Sequence, residues 1–294
     1  MSASGLNAPA PAAPTLPETA EVLAQAGGEN FPVALWFLPA KVRQRLMAVY
    51  GFARLVDDVG DEGGGDVTAQ LDWLEEDLAR AATGSALHPL LQRLTPLLVD
   101  LGLPLDPFRR LIEANRRDQQ VRRYQTFEDL RAYCALSATP VGELVLGIFE
   151  VSTAERRAWS DDVCTALQLV EHLQDLGEDA RRGRVYLPAE DLARFGCPES
   201  DLYAPTASQE LREVVAFETD RSRRLLGPAT PLVRSLPGLP RLAIAGFAAG
   251  GLATADALAK AGYEVLAETR RPAQSRVLVH LARLVAGRSG GGRR

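Results

Sequence analysis

The chain has 294 residues, 46% of them apolar, enough to bury a substantial core in one large domain or two modest ones. Its net charge of −5 lacks the basic excess of a nucleic-acid binder, so no nucleic-acid partner is expected. Leu and Ala dominate while aromatics reach only 6%, a balance that favours helix over sheet and predicts an all-α fold.

Residues 1–28 are rich in Ala and Pro and contain no Lys or Arg. They fail as a secretory signal or membrane span and read as a disordered leader before a single domain over 29–286. Leu38-Pro39-Ala40 marks a helix start, with Pro where its missing N–H is harmless. Val42, Leu46, Val49, Ala53 and Val56 then repeat at alternating steps of 4 and 3, the spacing of one apolar helix face. A second stripe carries Tyr50, Arg54, Asp57, Asp58 and Asp61, and Gly63-Gly64-Gly65 ends the helix. Leu71, Leu74 and Leu78 begin the next.

Helical periodicity resumes over 108–123 and again over 126–150, the second stretch opening on Thr126-Phe127-Glu128-Asp129, an N-terminal capping arrangement. Arg122-Arg123-Tyr124, just before it, reads as a loop with exposed guanidinium groups. Over 162–179, Ala166, Leu169, Val170, Leu173 and Leu176 define one face, and Gln168, Glu171, His172, Asp175, Glu178 and Asp179 another. The basic segment Arg181-Arg182-Gly183-Arg184 follows, then Val185-Tyr186-Leu187-Pro188. Helices over 209–226 and 239–267 complete the domain. The apolar stretch 242–255 is cut by Gly246, Gly250 and Gly251 and is too short for a membrane span, so it reads as a buried helix whose Gly246 and Gly250 admit a close neighbour. Residues 287–294 form a flexible tail. Cys134, Cys164 and Cys197 are odd in number, without metal-ligand spacing, and fit free thiols in a reducing cytoplasm.

Asp57 with Asp61, and Asp175 with Asp179, are like-charged pairs one helical turn apart, each costing roughly 0.2 to 0.5 kcal/mol in an isolated helix. A solvated face places Lys or Arg four residues after an acid, and neither Asp57 nor Asp175 has one there. Two such stripes suit Mg²⁺, a hard cation held by one or two carboxylates together with waters and substrate phosphates. If the stripes face each other, Mg²⁺ can bridge them through a diphosphate while Arg54 and the 181–184 segment neutralise the remaining oxygens. His172, on the acidic stripe, is a candidate base. With no Gly-rich fingerprint or phosphate loop, a Rossmann-type reducing cofactor and nucleotide hydrolysis lack support.

The segments 52–62 (Phe-Ala-Arg-Leu-Val-Asp-Asp-Val-Gly-Asp-Glu), 168–179 (Gln-Leu-Val-Glu-His-Leu-Gln-Asp-Leu-Gly-Glu-Asp) and 183–188 resemble the squalene and phytoene synthases, over about residues 30–276. Glu29-Asn30-Phe31-Pro32-Val33-Ala34 and Ser137-Ala138-Thr139-Pro140-Val141-Gly142 are similar to the hydroxysqualene synthase branch of bacterial hopanoid biosynthesis. The resemblance implies an isoprenoid-synthase-type helical bundle around a central cavity, and ionisation of presqualene diphosphate with water capture of the rearranged cation. By resemblance, Asp57, Asp58, Asp61, Asp175 and Asp179 hold Mg²⁺ (Mn²⁺ being the alternative metal) and diphosphate, with Glu178 as a supporting ligand. Phe31, Arg54, Gln168, Glu171, Arg184 and Tyr186 form the implied substrate-binding set. Glu171 and Gly251 depart from the Asn and Tyr that many relatives carry.

The expected partner is a prenyl diphosphate, with no NADPH. An apolar product leaves open peripheral contact with the inner face of the membrane and handover to other hopanoid-pathway enzymes, in a cytoplasmic protein. Two other readings stand beside this one: head-to-head condensation of two prenyl diphosphates, and a non-catalytic helical isoprenoid carrier, which needs the cavity but not the acids.

Overall fold

The computed structural model describes residues 14–24, 38–62, 65–267 and 271–287. A short α1 (Thr19–Ala24) precedes the long α2 (Ala40–Glu62), α3 (Val67–Ala81), α4 (Pro89–Gln92), α5 (Thr95–Val99) and α6 (Asp106–Asp118). Next come α7 (Phe127–Ser137), α8 (Thr139–Ile148), α9 (Ala154–Gln174), α10 (Leu176–Arg181) and α11 (Ala189–Arg194). The chain closes with α12 (Gln209–Leu225), α13 (Ala229–Ser235), α14 (Gly238–Lys260) and α15 (Gln274–Val285). Among the described residues no strand forms; one isolated parallel bridge joins Arg123 to Val185. The all-α expectation holds.

Local chemistry sets the ends of several elements. Asp66 caps α3 by accepting from the Ala69 N–H at 3.0 Å, just after Gly65 at φ +103°. Thr126 and Asp129 form the expected capping box on α7. The helix expected over 126–150 breaks at Ala138, because Pro140 has no N–H and its ring clashes with a continuing helix, so α7 and α8 are separate elements. Likewise α9 bends at Asp175 (φ −98°, ψ 7°), where α10 begins, yet the Asp179 N–H still bonds the Asp175 carbonyl at 2.8 Å. One helical turn therefore still separates those two acids.

Phe52, Leu55, Val56 and Val59 are completely buried, so α2 packs on more than the single apolar face its sequence showed, against Leu74, Leu90, Phe108 and Ile112. A second cluster joins α9, α10, α11 and α12 through Leu173, Leu176, Leu192 and Leu211. A third joins α9, α13, α14 and α15 through Ala166, Leu232, Ala245 and Leu284.

Several expectations change. Residues 14–24 are packed rather than a free leader: Val22 is fully buried and the Gln70 side chain donates to the Thr15 carbonyl at 2.8 Å. The helix expected over 108–123 ends at Asp118, and the one expected over 239–267 ends at Lys260. Helices α13 and α15 were not expected: α13 is only seven residues long and carries Pro231, and Arg276 and Arg283 interrupt the apolar positions of α15. Helix α14 is long and apolar enough to cross a membrane, but 67% of its most apolar window lies inside the protein, as a core helix would. A side chain at Gly246 would meet nothing within 4 Å; the close approach is at Gly251, where a Cβ would stand 2.4 Å from Leu167 Cδ2. All three cysteines are free thiols.

Candidate functional site

Helices α2, α6, α8, α9 and α14 surround a cavity of about 650 Å³. Its wall is graded along the helices. On α2, Leu46, Val49 and Ala53 precede Asp57 and Asp61; on α9, Val163, Cys164 and Leu167 precede Gln168, Glu171, His172 and Asp175. Leu111, Val141, Val145, Ile244 and Phe247 complete the apolar end. Asp57 and Asp61 thus lie in the last two turns of α2 and Asp175 at the C-cap of α9, where the negative ends of both helix dipoles add to their charge and favour a cation, while Glu178 and Asp179 follow in the first turn of α10.

The two stripes meet. Asp61 on α2 pairs with Arg184 and lies 3.8 Å from Arg182, which in turn holds Glu178 at 2.9 Å. Asp57, Asp61, Asp175, Glu178 and Asp179 all line the one cavity, together with Arg54, Arg182 and Arg184. Asp57 lies deep in the protein, yet its side chain is exposed to the cavity. Desolvation by the surrounding protein raises its pKa to about 7, against a hydrogen bond from Asn115 Nδ2 at 2.9 Å and with a further upward push from Asp61. Burial also raises Asp179 to about 7, helped by Asp175 and Asp61 and opposed by Arg184 and Arg182. Burial disfavours the Arg184 charge, but Asp61 outweighs it and raises the pKa.

Among the described residues no three His, Cys, Asp or Glu side chains converge on a complete metal cage. The donor set fits Mg²⁺, which takes a few carboxylate oxygens and leaves its other positions to water and phosphate. Burial first, and the neighbouring acids second, make Asp57 and Asp179 reluctant to ionise, a cost that a cation bound at the site would offset.

Of the other expected site residues, Gln168, Glu171 and Tyr186 line the cavity. Phe31 lies outside the described residues. Asp58 does not line the cavity: it is 8% exposed and holds Arg54 Nε at 2.8 Å, so it orients that cavity guanidinium. Gly251 likewise is off the wall, its space taken by Leu167, which does line it.

Sequence reasoning missed the support beneath the acids. Asn115 fixes Asp57, and Gly60 makes room for it: a Cβ at 60 would lie 2.1 Å from Asn115 Oδ1. Asp118, one turn further on α6, accepts from Tyr133 Oη at 2.6 Å and Tyr186 Oη at 3.2 Å. Tyr186 stacks on His172 with ring centres 3.8 Å apart and planes 9° from parallel. The one available signal was Asn115 and Asp118 sharing a face of an otherwise amphipathic helix, three residues apart.

The profile of the squalene/phytoene synthase family matches residues 24–283. The chain is 38% identical over 210 residues to a hydroxysqualene synthase of Zymomonas mobilis, covering 67% of each chain. It is 35% identical over 224 residues to a 15-cis-phytoene synthase of Synechococcus elongatus, covering 71% of this chain and 72% of that one. Among solved structures, the squalene synthase HpnC from Alicyclobacillus acidocaldarius superimposes with a TM-score of 0.75 at 44% identity, covering 82% of this chain and 92% of its own. A dehydrosqualene synthase solved with a ligand shares the fold, with a TM-score of 0.80 at 24% identity, covering 91% of this chain and 95% of that one. Sequence profile, relatives and fold agree, and the chain belongs to the squalene/phytoene synthase family, whose members are enzymes of isoprenoid synthesis.

Proposed function

We propose that the protein is a Mg²⁺-dependent hydroxysqualene synthase that ionises presqualene diphosphate and captures the rearranged cation with water. The observation that carries this reading is the graded cavity, in which facing carboxylates and arginines at one end give way to an apolar chamber at the other. Asp57 and Asp61 on one side, and Asp175 and Asp179 on the other, would hold the metal, with Glu178 in support. Bound Mg²⁺ would draw charge from the diphosphate and make it a better leaving group.

The chain's own residues do the rest. Arg54, Arg182 and Arg184 line the polar end and can donate to diphosphate oxygens left without metal. Asp58 keeps Arg54 in place. The apolar end, from Val163 to Leu167 on α9 and from Leu46 to Ala53 on α2, holds the hydrocarbon and limits water around the cation. Tyr133 and Tyr186, tied to Asp118, form a rigid wall between the two ends.

Purified protein given presqualene diphosphate and Mg²⁺, without NADPH, is expected to form hydroxysqualene and release diphosphate, with Mn²⁺ substituting and a chelator stopping both. A second reading, head-to-head condensation of prenyl diphosphates, is favoured by the likeness to the phytoene synthase of S. elongatus. Consumption of farnesyl or geranylgeranyl diphosphate, with presqualene diphosphate left untouched, would select it. Retained isoprenoid binding and unchanged biological activity in an Asp57→Asn, Asp175→Asn double variant would instead indicate a carrier.

A further inference from the structure

Water capture needs one water inside a chamber that otherwise excludes it, together with an acceptor for the proton that water loses. His172 lies on α9 one turn from Asp175, between the acidic end of the cavity and its apolar end, and its ring forms part of the wall. The imidazole is clamped by its stack on Tyr186, itself fixed through Asp118. Its Nε2 is buried without a hydrogen-bond partner. A second orphan lines the same cavity: Ser137 Oγ, also buried and unpartnered. Ser137 stands one turn beyond Tyr133 on α7, and the Tyr133 ring centre is 6.3 Å from that of His172. A buried polar atom with no partner is costly, so this pair marks a place for a polar guest.

We propose that His172 and Ser137 seat the water that captures the carbocation, with His172 receiving its proton. The inference rests on the hydroxysqualene synthase reading. In the step, the water oxygen forms a C–O bond to the cationic carbon, one of its O–H bonds breaks, and that proton passes to an imidazole nitrogen. No oxidation or reduction is involved, and the imidazolium returns the proton to the departing diphosphate or to solvent. Burial lowers the His172 pKa to about 3, so the ring is unprotonated and able to accept at physiological pH. The neighbouring Glu171 also lines the cavity and is the rival acceptor.

The test is product partition from presqualene diphosphate with Mg²⁺. His172→Phe keeps a ring to stack on Tyr186 but removes the acceptor; His172→Gln keeps an acceptor without the ring. With His172→Phe, the ratio of alcohol to olefins formed by proton loss is expected to fall by about 10²-fold, the typical contribution of a placed base. The ratio is read per diphosphate released, so that a change in ionisation does not enter it, and His172→Gln should recover part of the alcohol. Ser137→Ala should lower the same ratio less. A merely structural role would depress diphosphate release and alcohol together. An unchanged ratio in a folded His172→Phe variant, or the fall appearing in Glu171→Gln instead, overturns the assignment to His172. Wild-type protein that makes no alcohol overturns the underlying reading as well.

Discussion

Gly60 is the position at which one methyl group should disturb both stability and chemistry. In Gly60→Ala the new Cβ would stand 2.1 Å from Asn115 Oδ1, so Asn115 must move. Moving it breaks the 2.9 Å bond from Nδ2 to Asp57 and the 3.3 Å bond to the Leu111 carbonyl. A hydrogen bond to a charged group contributes about 1.5 to 3 kcal/mol, while replacing Gly by Ala inside a helix returns about 1 kcal/mol. The balance is a loss of about 0.5 to 2 kcal/mol, or a Tm lower by roughly 1 to 8 °C for a chain of this size. The chemistry should shift too, since the Asn115 bond is the largest influence holding the Asp57 pKa down. Without it Asp57 stays protonated to higher pH, so the acid limb of diphosphate release moves upward and more Mg²⁺ is needed at neutral pH. Thermal melts with pH–rate profiles at several Mg²⁺ concentrations measure both effects, and Asn115→Leu should reproduce the acid-limb shift without touching α2. A Gly60→Ala protein that melts higher than wild type with an unmoved acid limb would refute the reasoning.

Between pH 3.8 and about 7, native Asp57 holds a proton that an unfolded chain would release. Ligand-free stability should therefore fall as pH rises through that window. Asp57→Asn should flatten the fall and raise the neutral-pH Tm while abolishing activity, by no more than about 1 kcal/mol because cavity water screens the charge. Melts across pH, with and without Mg²⁺ and diphosphate, test this. Arg184→Gln removes the partner of Asp61 and a charge that lowers the Asp179 pKa. We expect kcat/KM to drop about 10- to 100-fold, with the acid limb moved upward, in steady-state assays of diphosphate release. Gly251→Ala would press on Leu167 at 2.4 Å and push it toward the cavity it lines. A cost of about 1 to 3 kcal/mol in denaturant titrations should accompany a kcat/KM loss greater for long prenyl chains than for short ones.

The helical fold and the acidic stripes were legible because both depend on spacing alone. Four-residue steps place Asp57 over Asp61 and Asp175 over Asp179 whatever the tertiary structure, even across the bend at Asp175. Spacing cannot say which of two adjacent acids turns inward. Asp57 and Asp58 are about 100° apart on the helix, and only packing sends the first to the cavity and the second to Arg54. The Asn115 bond to Asp57 spans 58 positions, and its local traces are weak ones, a polar residue on the face of α6 that also carries Asp118 and a glycine inside α2. Order at 14–24 was equally hidden, since Val22 is buried by distant residues rather than by any pattern of its own.

The like-charged pairs explain why the arginines follow so closely in sequence. Without ligand, Arg184 and Arg182 rest on Asp61, so the site cancels part of its own repulsion. A guanidinium pairs with a phosphate oxygen as readily as with a carboxylate. On the proposed function, an arriving diphosphate gives both arginines a new partner and frees Asp61 for the cation that arrives with it. The exchange trades one set of ion pairs for another, so the carboxylates need never face each other uncompensated. The same logic makes Mg²⁺ and diphosphate mutually dependent ligands: each should bind weakly alone, since the metal must displace arginines and the diphosphate must approach acids, and tightly together. Calorimetric titration of Mg²⁺ with and without inorganic diphosphate measures that coupling, and Arg184→Gln should weaken it from both sides, because coupling between two ligands is reciprocal.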